Sequence, residues 1–114
     1  MTFTLPFPPP EMSPNTRKHW RRVADVKKAY KADCAWTLFQ TPVPQIEPGK
    51  RIPIIITITP PDNRRRDRDN LQASCKYALD EFARHLGVDD YLFDPTYRFD
   101  APVKGGLLSI EVGA

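Results

Sequence analysis

The sequence predicts an α+β domain in which one mixed sheet packs against two helices, in the order β-α-β-α-β-β. Three observations lead there. Two stretches without internal proline or glycine, about Thr16 to Thr41 and Asp69 to Leu86, repeat apolar residues at helical spacing. Between them, Ile52 to Thr59 is dense in β-branched residues, the composition of a strand. After them, strand-like segments around Thr96 to Ala101 and Leu107 to Val112 flank Lys104-Gly105-Gly106, a tight connection. A chain of 114 residues buries one core, so residues 1–114 are read as a single domain.

Each element has its own signal. Phe3, Leu5 and Phe7 alternate with Thr2, Thr4 and Pro6, the period of a half-buried strand, and Pro8 to Pro14 follows as a stiff, extended loop. Val23, Val26, Tyr30, Cys34, Thr37 and Leu38 mark the buried stripe of a long helix whose basic residues fall mostly on the other side. The prolines of Pro42 to Gly49 stop it. Ile54, Ile55 and Ile56 place isoleucine on both faces of the next strand, which reads as central and covered on both sides. A polar loop, Pro60 to Arg66, leads to the second helix, with its stripe of Leu71, Cys75, Leu79, Phe82 and Leu86. That helix begins near Asp69 and stops at Gly87, the usual position for a residue of positive φ.

The composition is that of a globular protein, with 40% hydrophobic and 27% charged residues. No apolar run approaches the roughly 18 to 20 residues that span a bilayer. Met1 to Phe7 lacks a basic region followed by an apolar one, so no secretory signal is expected and the expected location is cytoplasmic. Cys34 and Cys75 stand in helical segments outside any metal or redox spacing, and buried free thiols are expected. His19 and His85 have no partner at ligand spacing. Trp20 and Trp36 lie on the long helix, where packing is the expected role and base stacking the alternative. The net charge of +3 is mild, but the cations cluster in Arg17 to Lys31 and Arg64 to Arg68, a pattern that points to phosphate contact.

The chemistry concentrates in Asn63-Arg64-Arg65-Arg66-Asp67-Arg68-Asp69-Asn70. In extended backbone, Asp67 and Asp69 project from the same side of the chain and repel each other unless a cation lies between them. A hard divalent ion such as Mg²⁺ suits that position, because it takes oxygen ligands and keeps places for water and a phosphate oxygen. Arg64, Arg65, Arg66 and Arg68 would then hold a phosphate backbone on which the ion acts. The bland reading stands beside this one: a helix cap, a carboxylate favoured by the helix dipole, and a self-neutralising surface. Lys76 lies seven residues beyond Asp69, about 10 Å along a helix and within roughly 20° of its direction, so it falls on the same face. A lysine there can reach towards the scissile phosphate, or simply be solvated.

Taken together, these segments resemble the RusA family of Holliday junction resolvases. The resemblance is carried by Leu5-Pro6-Phe7-Pro8-Pro9 with Ser13 and Asn15, by Pro61-Asp62-Asn63-Arg64-Arg65-Arg66-Asp67-Arg68-Asp69-Asn70-Leu71-Gln72, by Asp89-Asp90, and by Lys104-Gly105-Gly106. It covers nearly the whole chain, and the arginine-rich DxDN segment is its specific part. It implies a homodimer that uses Mg²⁺, or Mn²⁺ as a substitute, to nick four-way DNA junctions symmetrically in recombination and repair, with no small-molecule cofactor. It implies Asp67, Asp69 and Asp90 as metal ligands and catalytic carboxylates; Lys76, placed by helix geometry, is the further catalytic candidate. Asn15, Arg17, Lys18 and Lys104 join the arginines as DNA-contact candidates. One position departs from the pattern: Ala73 stands where the family carries a functional lysine, and Lys76, one turn later, is the candidate replacement.

Three other readings remain open at this point. The chain is a nuclease for forks or flaps in phage replication, a non-catalytic nucleic-acid-binding protein, or a phage structural or interaction protein. The last leaves the clustering of arginine and aspartate unexplained.

Overall fold

A computed structural model describes residues 1–113. The order is β1 (Thr2–Leu5), α1 (Trp20–Phe39), β2 (Ile52–Thr59), α2 (Arg68–Ser74), α3 (Lys76–Leu86), β3 (Phe93–Phe99) and β4 (Leu107–Val112), with 3-10 turns at Pro10–Met12 and Asp90–Leu92. The strands form one mixed sheet in the order β1-β4-β2-β3. β1 and β2 each run antiparallel to β4, and β3 runs parallel to β2. The α+β class and the β-α-β-α-β-β order, with one mixed sheet against two helical segments, are therefore those of the sequence reading.

The three parallel strands, β1, β2 and β3, all point their carboxyl ends at the same edge. Leu5 and Ile58 both pair with Leu108, and Ile58 also pairs with Phe99. Every loop that leaves β1, β2 or β3, and the loop that enters β4, meets at that edge. The crossovers β1-α1-β2 and β2-α2-α3-β3 progress in the same direction across the sheet. With the usual right-handed connection, both place their helices on one face.

That face holds the core. Phe3, Leu5, Ile54, Ile56, Ile58, Leu108 and Ile110 are buried from the sheet side, against Cys34, Leu38, Ala78 and Phe82 from the helices. Phe82 meets Phe3 edge-on at 5.0 Å and stacks on Phe93 at 5.6 Å, geometries that add to simple burial. The opposite face is open. Ile55 and Thr57 of β2 are half-buried, and β1 presents Thr2 and Thr4 there. β2 is central, as its composition suggests, yet Ile55 faces a surface that no helix among the described residues covers. Pro53 is tolerated inside this central strand because its partner β4 ends opposite the next residue, Ile54.

Two local features depart from the sequence reading for identifiable reasons. The second helix is interrupted at Cys75, where Ser74 Oγ donates to the Asn70 carbonyl at 2.7 Å and Cys75 Sγ to the Leu71 carbonyl at 3.3 Å. Side chains that bond back to the i−4 carbonyl compete with the backbone ladder and bend a helix. The Cys75 N–H accordingly reaches Gln72 O at 3.1 Å, an i−3 bond that tightens the turn. Pro8 to Pro14 is also not simply extended. Its 3-10 turn buries Met12 and Glu11, and Glu11 meets Lys18 at 3.4 Å and Arg22 at 3.3 Å. Hydrogen bonding from its own backbone N–H, and then the charge of Lys18, hold the Glu11 carboxyl below its ordinary range.

Both cysteines are buried free thiols. Burial pushes Cys34 up to about 11 and Cys75 up to about 12, which leaves them unreactive thiols at neutral pH. His85 is a packing residue that lies edge-on to Phe3 and within 3.4 Å of Thr41 Oγ1. Among the described residues, no helix is long and apolar enough to cross a membrane.

Candidate nucleic-acid and metal site

At the carboxyl edge of the sheet, a cleft of about 410 Å³ is lined by Phe7, Pro10, Ser13, Asp62, Arg66 and Asp67 among others. Its walls come from the loops after β1 and β2 and from the start of α2. The connection into β4 packs against the strand ends beside it. Val103 N–H donates to Pro60 O at 3.0 Å, and Gly106 turns there with φ +63°. A Cβ on Gly106 would lie 3.0 Å from Pro61 N, 3.0 Å from Thr59 O and 3.1 Å from Phe7 Cβ, so only glycine lets these three strand ends meet. Lys104 sits exposed in the same turn.

The arginines of the loop divide into one strut and three free groups. Arg66 is mostly buried, pairs with Asp62 at 2.8 Å, donates to Asp62 O at 3.1 Å and Arg64 O at 3.2 Å, and lies over the Phe7 ring at 5.9 Å. It holds the loop in shape. Asp62 also accepts from Arg64 N–H at 2.9 Å; that bond, and then the Arg66 guanidinium, keep its carboxyl below the ordinary value. Arg64, Arg65 and Arg68 are exposed, and among the described residues no carboxylate lies within ion-pair distance of them. Arg68 rests over the Phe99 ring at 4.5 Å. Of the other DNA-contact candidates, Arg17 and Asn15 are exposed nearby in sequence, whereas Lys18 is engaged with Glu11.

Asp67 is the N-cap of α2, and its Oδ1 accepts from Asp69 N–H at 2.8 Å and Asn70 N–H at 3.2 Å. The backbone is extended only as far as Asp67, and Asp69 already stands in the first helical turn. The same-side argument for an extended pair therefore does not describe these two residues. What holds them close is the cap. Both are exposed, and carboxylate oxygens are the donors Mg²⁺ takes, so the pair suits that ion in its chemistry.

Asp90 is placed elsewhere. It precedes β3 at the amino edge of the sheet, and the six register steps from Ile52–Phe93 to Ile58–Phe99 span about 20 Å. Its neighbours are Asp89 and Asp80. Hydrogen bonding with Asp89, slight desolvation and the charge of Asp80 raise its carboxyl above the ordinary value. Asp80 lies eleven residues beyond Asp69, roughly 16 Å along a helix. Ligands of one Mg²⁺, each about 2.1 Å from the ion, lie within about 4 Å of one another. Among the described residues, no three His, Cys, Asp or Glu side chains are gathered as a metal-holding group. The structure thus brings Asp67 and Asp69 together, and Asp90 does not join them.

Lys76 belongs to the second group. With Gln72, Asp80, Asp90, Pro95 and Tyr97 it lines a groove of about 220 Å³ between the helices and β3. Gln72, Lys76 and Asp80 continue the helical face on which Asp69 stands, so Lys76 lies partway between the two carboxylate groups. Asp80 and Tyr97 were not singled out from the sequence. An aspartate inside an amphipathic helix carries no signal there of which loop it will meet.

No family model matches the chain. Over 99 residues, 81% of the chain, it is 34% identical to a protein of Xylella fastidiosa (strain Temecula1) described only as uncharacterized. The match covers 61% of that protein, so the chain spans less than two thirds of this relative's length.

Proposed function

We propose that the chain is a Mg²⁺-dependent, structure-selective endodeoxyribonuclease of the RusA type, which resolves Holliday junctions by paired nicks in DNA recombination and repair. One observation carries this reading. Three of the segments on which the resemblance rests are far apart in sequence yet lie together: those around Phe7 and around Arg64 to Asn70 line one cleft, and Gly106 of the third sits against Phe7 and Pro61 of that lining. That cleft lies outside the carboxyl ends of the parallel strands, where open α/β sheets place their ligands.

The residues divide the work by their surroundings. Arg64, Arg65 and Arg68, with Lys104 and Arg17, contact backbone phosphates, an interaction that is strongly salt-dependent and carries little sequence information. Arg66 and Asp62 hold the loop that presents them. Asp67 and Asp69 would hold Mg²⁺, or Mn²⁺ in its place. An ion held there would supply stabilisation of developing negative charge and a more acidic water. Two equivalent nicks on a two-fold symmetric junction call for a C₂ homodimer with one site per strand. The reading includes a cytoplasmic location.

The test is cleavage of a mobile four-way junction in Mg²⁺, with cut positions mapped on all four strands and matched flap and linear substrates alongside. Symmetric cuts that vanish in Asp69→Asn are expected. Equal cutting of linear duplex would sink the structure-selective reading, and preferred cutting of flaps would move the substrate to replication intermediates. The separation of Asp90 from Asp67 and Asp69 favours one rival, a nucleic-acid-binding protein without catalysis. It gives junction binding and no product at any Mg²⁺ concentration.

A further inference from the structure

The two tryptophans of α1 are both exposed, Trp20 at 67% and Trp36 at 68%, so packing accounts for neither. Their surroundings differ. Trp36 stacks on Phe39 at 6.4 Å, in a stretch, residues 32–41, that contains no lysine or arginine. Trp20 lies beside His19, whose ring is 28° from parallel at 5.6 Å, and Arg21, whose guanidinium is 5.2 Å from the indole centre.

Position adds to this. As a crossover from β1 to the parallel β2, α1 runs antiparallel to them, with its N-terminus at the carboxyl edge of the sheet. Tyr30 Oη donates to Pro6 O at 2.8 Å, just past the end of β1. Residues 20–29, about 15 Å of helix, therefore run from Tyr30 towards and past that edge. Glu11 anchors this extension through Arg22 and Lys18. It leaves Arg17 and Arg21 with no carboxylate at ion-pair distance among the described residues.

The face of α1 that carries Trp20 is continuous with a basic groove. At 100° per residue, Lys27 and Lys31 lie within about 20° of the direction of Trp20. Together with Lys28 and Arg84 they line a groove between α1 and α3 of about 440 Å³. Those four cations face a single carboxylate in that groove, Glu81, which lies 3.8 Å from Lys31 and 3.9 Å from Arg84. An exposed aromatic ring followed by a track of excess positive charge is the arrangement that holds a single strand, with the ring stacking a base and the cations following the phosphates.

We propose that Trp20 is a stacking platform for an unpaired DNA base, with Lys27, Lys28 and Lys31 as the phosphate track that continues from it. This deepens the nuclease reading: it adds an unpaired strand to the features by which branched DNA is recognised, and it rests on that reading for the source of the strand.

The test uses the full chain in EDTA with a short oligodeoxythymidine, so that binding is read without cleavage. In Trp36→Phe, Trp20 is the sole tryptophan, and its emission is expected to be quenched in a saturable way by the oligonucleotide. Trp20→Ala is expected to weaken binding about tenfold or more, the loss of one stacked base, while Trp20→Phe retains most of the affinity. Lys27→Gln with Lys28→Gln is expected to flatten the salt dependence. Unchanged affinity in Trp20→Ala overturns the proposal, and so does equal quenching by a duplex of the same length. The two readings fail separately. Trp20-dependent binding without cleavage of any branched substrate removes the nuclease and keeps the platform. Cleavage with oligonucleotide binding indifferent to Trp20 does the reverse.

Discussion

The two acidic groups at opposite ends of the α2–α3 pair carry the same side chain in opposite fields. At the start of α2, Asp62 is held down by the Arg64 N–H and the Arg66 guanidinium, and Asp67 is bonded to two backbone N–H groups. At the far end, Asp90 faces Asp89 and Asp80 and is pushed up. Carboxylates with their counter-charges already in place build a rigid loop. Carboxylates without them store repulsion that a cation or a proton relieves. The cleft end therefore has the exposed arginines and two adjacent carboxylates, while the far end gathers three carboxylates with Lys76 and Arg84 beside them.

The sharpest way to break this comparison is to ask which end takes the ion. Asp69→Asn is expected to lower Mg²⁺-dependent junction cleavage by about a hundredfold or more, the scale of removing a metal's several kcal/mol of charge stabilisation. It is also expected to abolish the rise in melting temperature on adding Mg²⁺, whereas Asp90→Asn retains that rise. The opposite pattern in the melts would place the ion at the far end. Next in size is the cap. Asp67→Ala is expected to cost about 1 kcal/mol in denaturant titrations, because two N–H groups lose their acceptor. Asp67→Asn still caps, so it keeps the stability while losing the charge. If both variants melt alike, the cap is not what holds Asp67.

A smaller effect comes from pH, and its sign differs between the ends. Asp62, with its pKa lowered on folding, contributes stability above its ordinary pKa that is lost as pH falls through the lowered value. Asp90, with its pKa raised, contributes stability at low pH that is lost as pH rises through the raised value. Melts from pH 7 to about pH 3 should show Asp62→Asn less stable than the parent at neutral pH, with the gap closing on acidification. Asp90→Asn should be more stable at neutral pH, with its advantage shrinking in acid. The least change is expected from Lys76→Ala: a few-fold loss of cleavage with the Mg²⁺ melting shift intact. Unchanged cleavage beside an inactive Asp69→Asn would show that Lys76 does not replace the lysine missing at Ala73.

Most of the fold was legible because it rests on period and composition. β2 and β4 run over the residues the β-branched and alternating patterns mark, and Gly87 ends α3 at φ +71° as a helix stop should. What escaped were features decided by side chains bonding locally. Ser74 and Cys75 break a helix whose apolar stripe is continuous, and His19 caps α1 through Nδ1 at 3.2 Å, shortening a helix expected from Thr16. Phe93 to Pro95 belongs to β3, although its proline argues against a strand; at the sheet edge that proline leaves no central ladder unpaired. The site was half legible. Clustering along the chain is visible in the letters, so Asp67, Asp69 and the arginines stood out. Which of four look-alike arginines becomes a strut, and which end of a helix Asp90 meets, depend on topology that spacing does not contain.

The missing methyl group of Gly106 has a mechanical consequence. A Cβ at that residue would press on the backbone at Thr59 and Pro61 and on the side chain of Phe7, so the turn carrying Lys104 sits close against the start of the loop carrying the arginines. Adding even a single carbon there, as in Gly106→Ala, acts as a wedge on top of the local strain that φ +63° imposes on any side chain. It is expected to pry the lysine-bearing turn from the arginine-bearing loop and so to reset the spacing between two sets of positive charge.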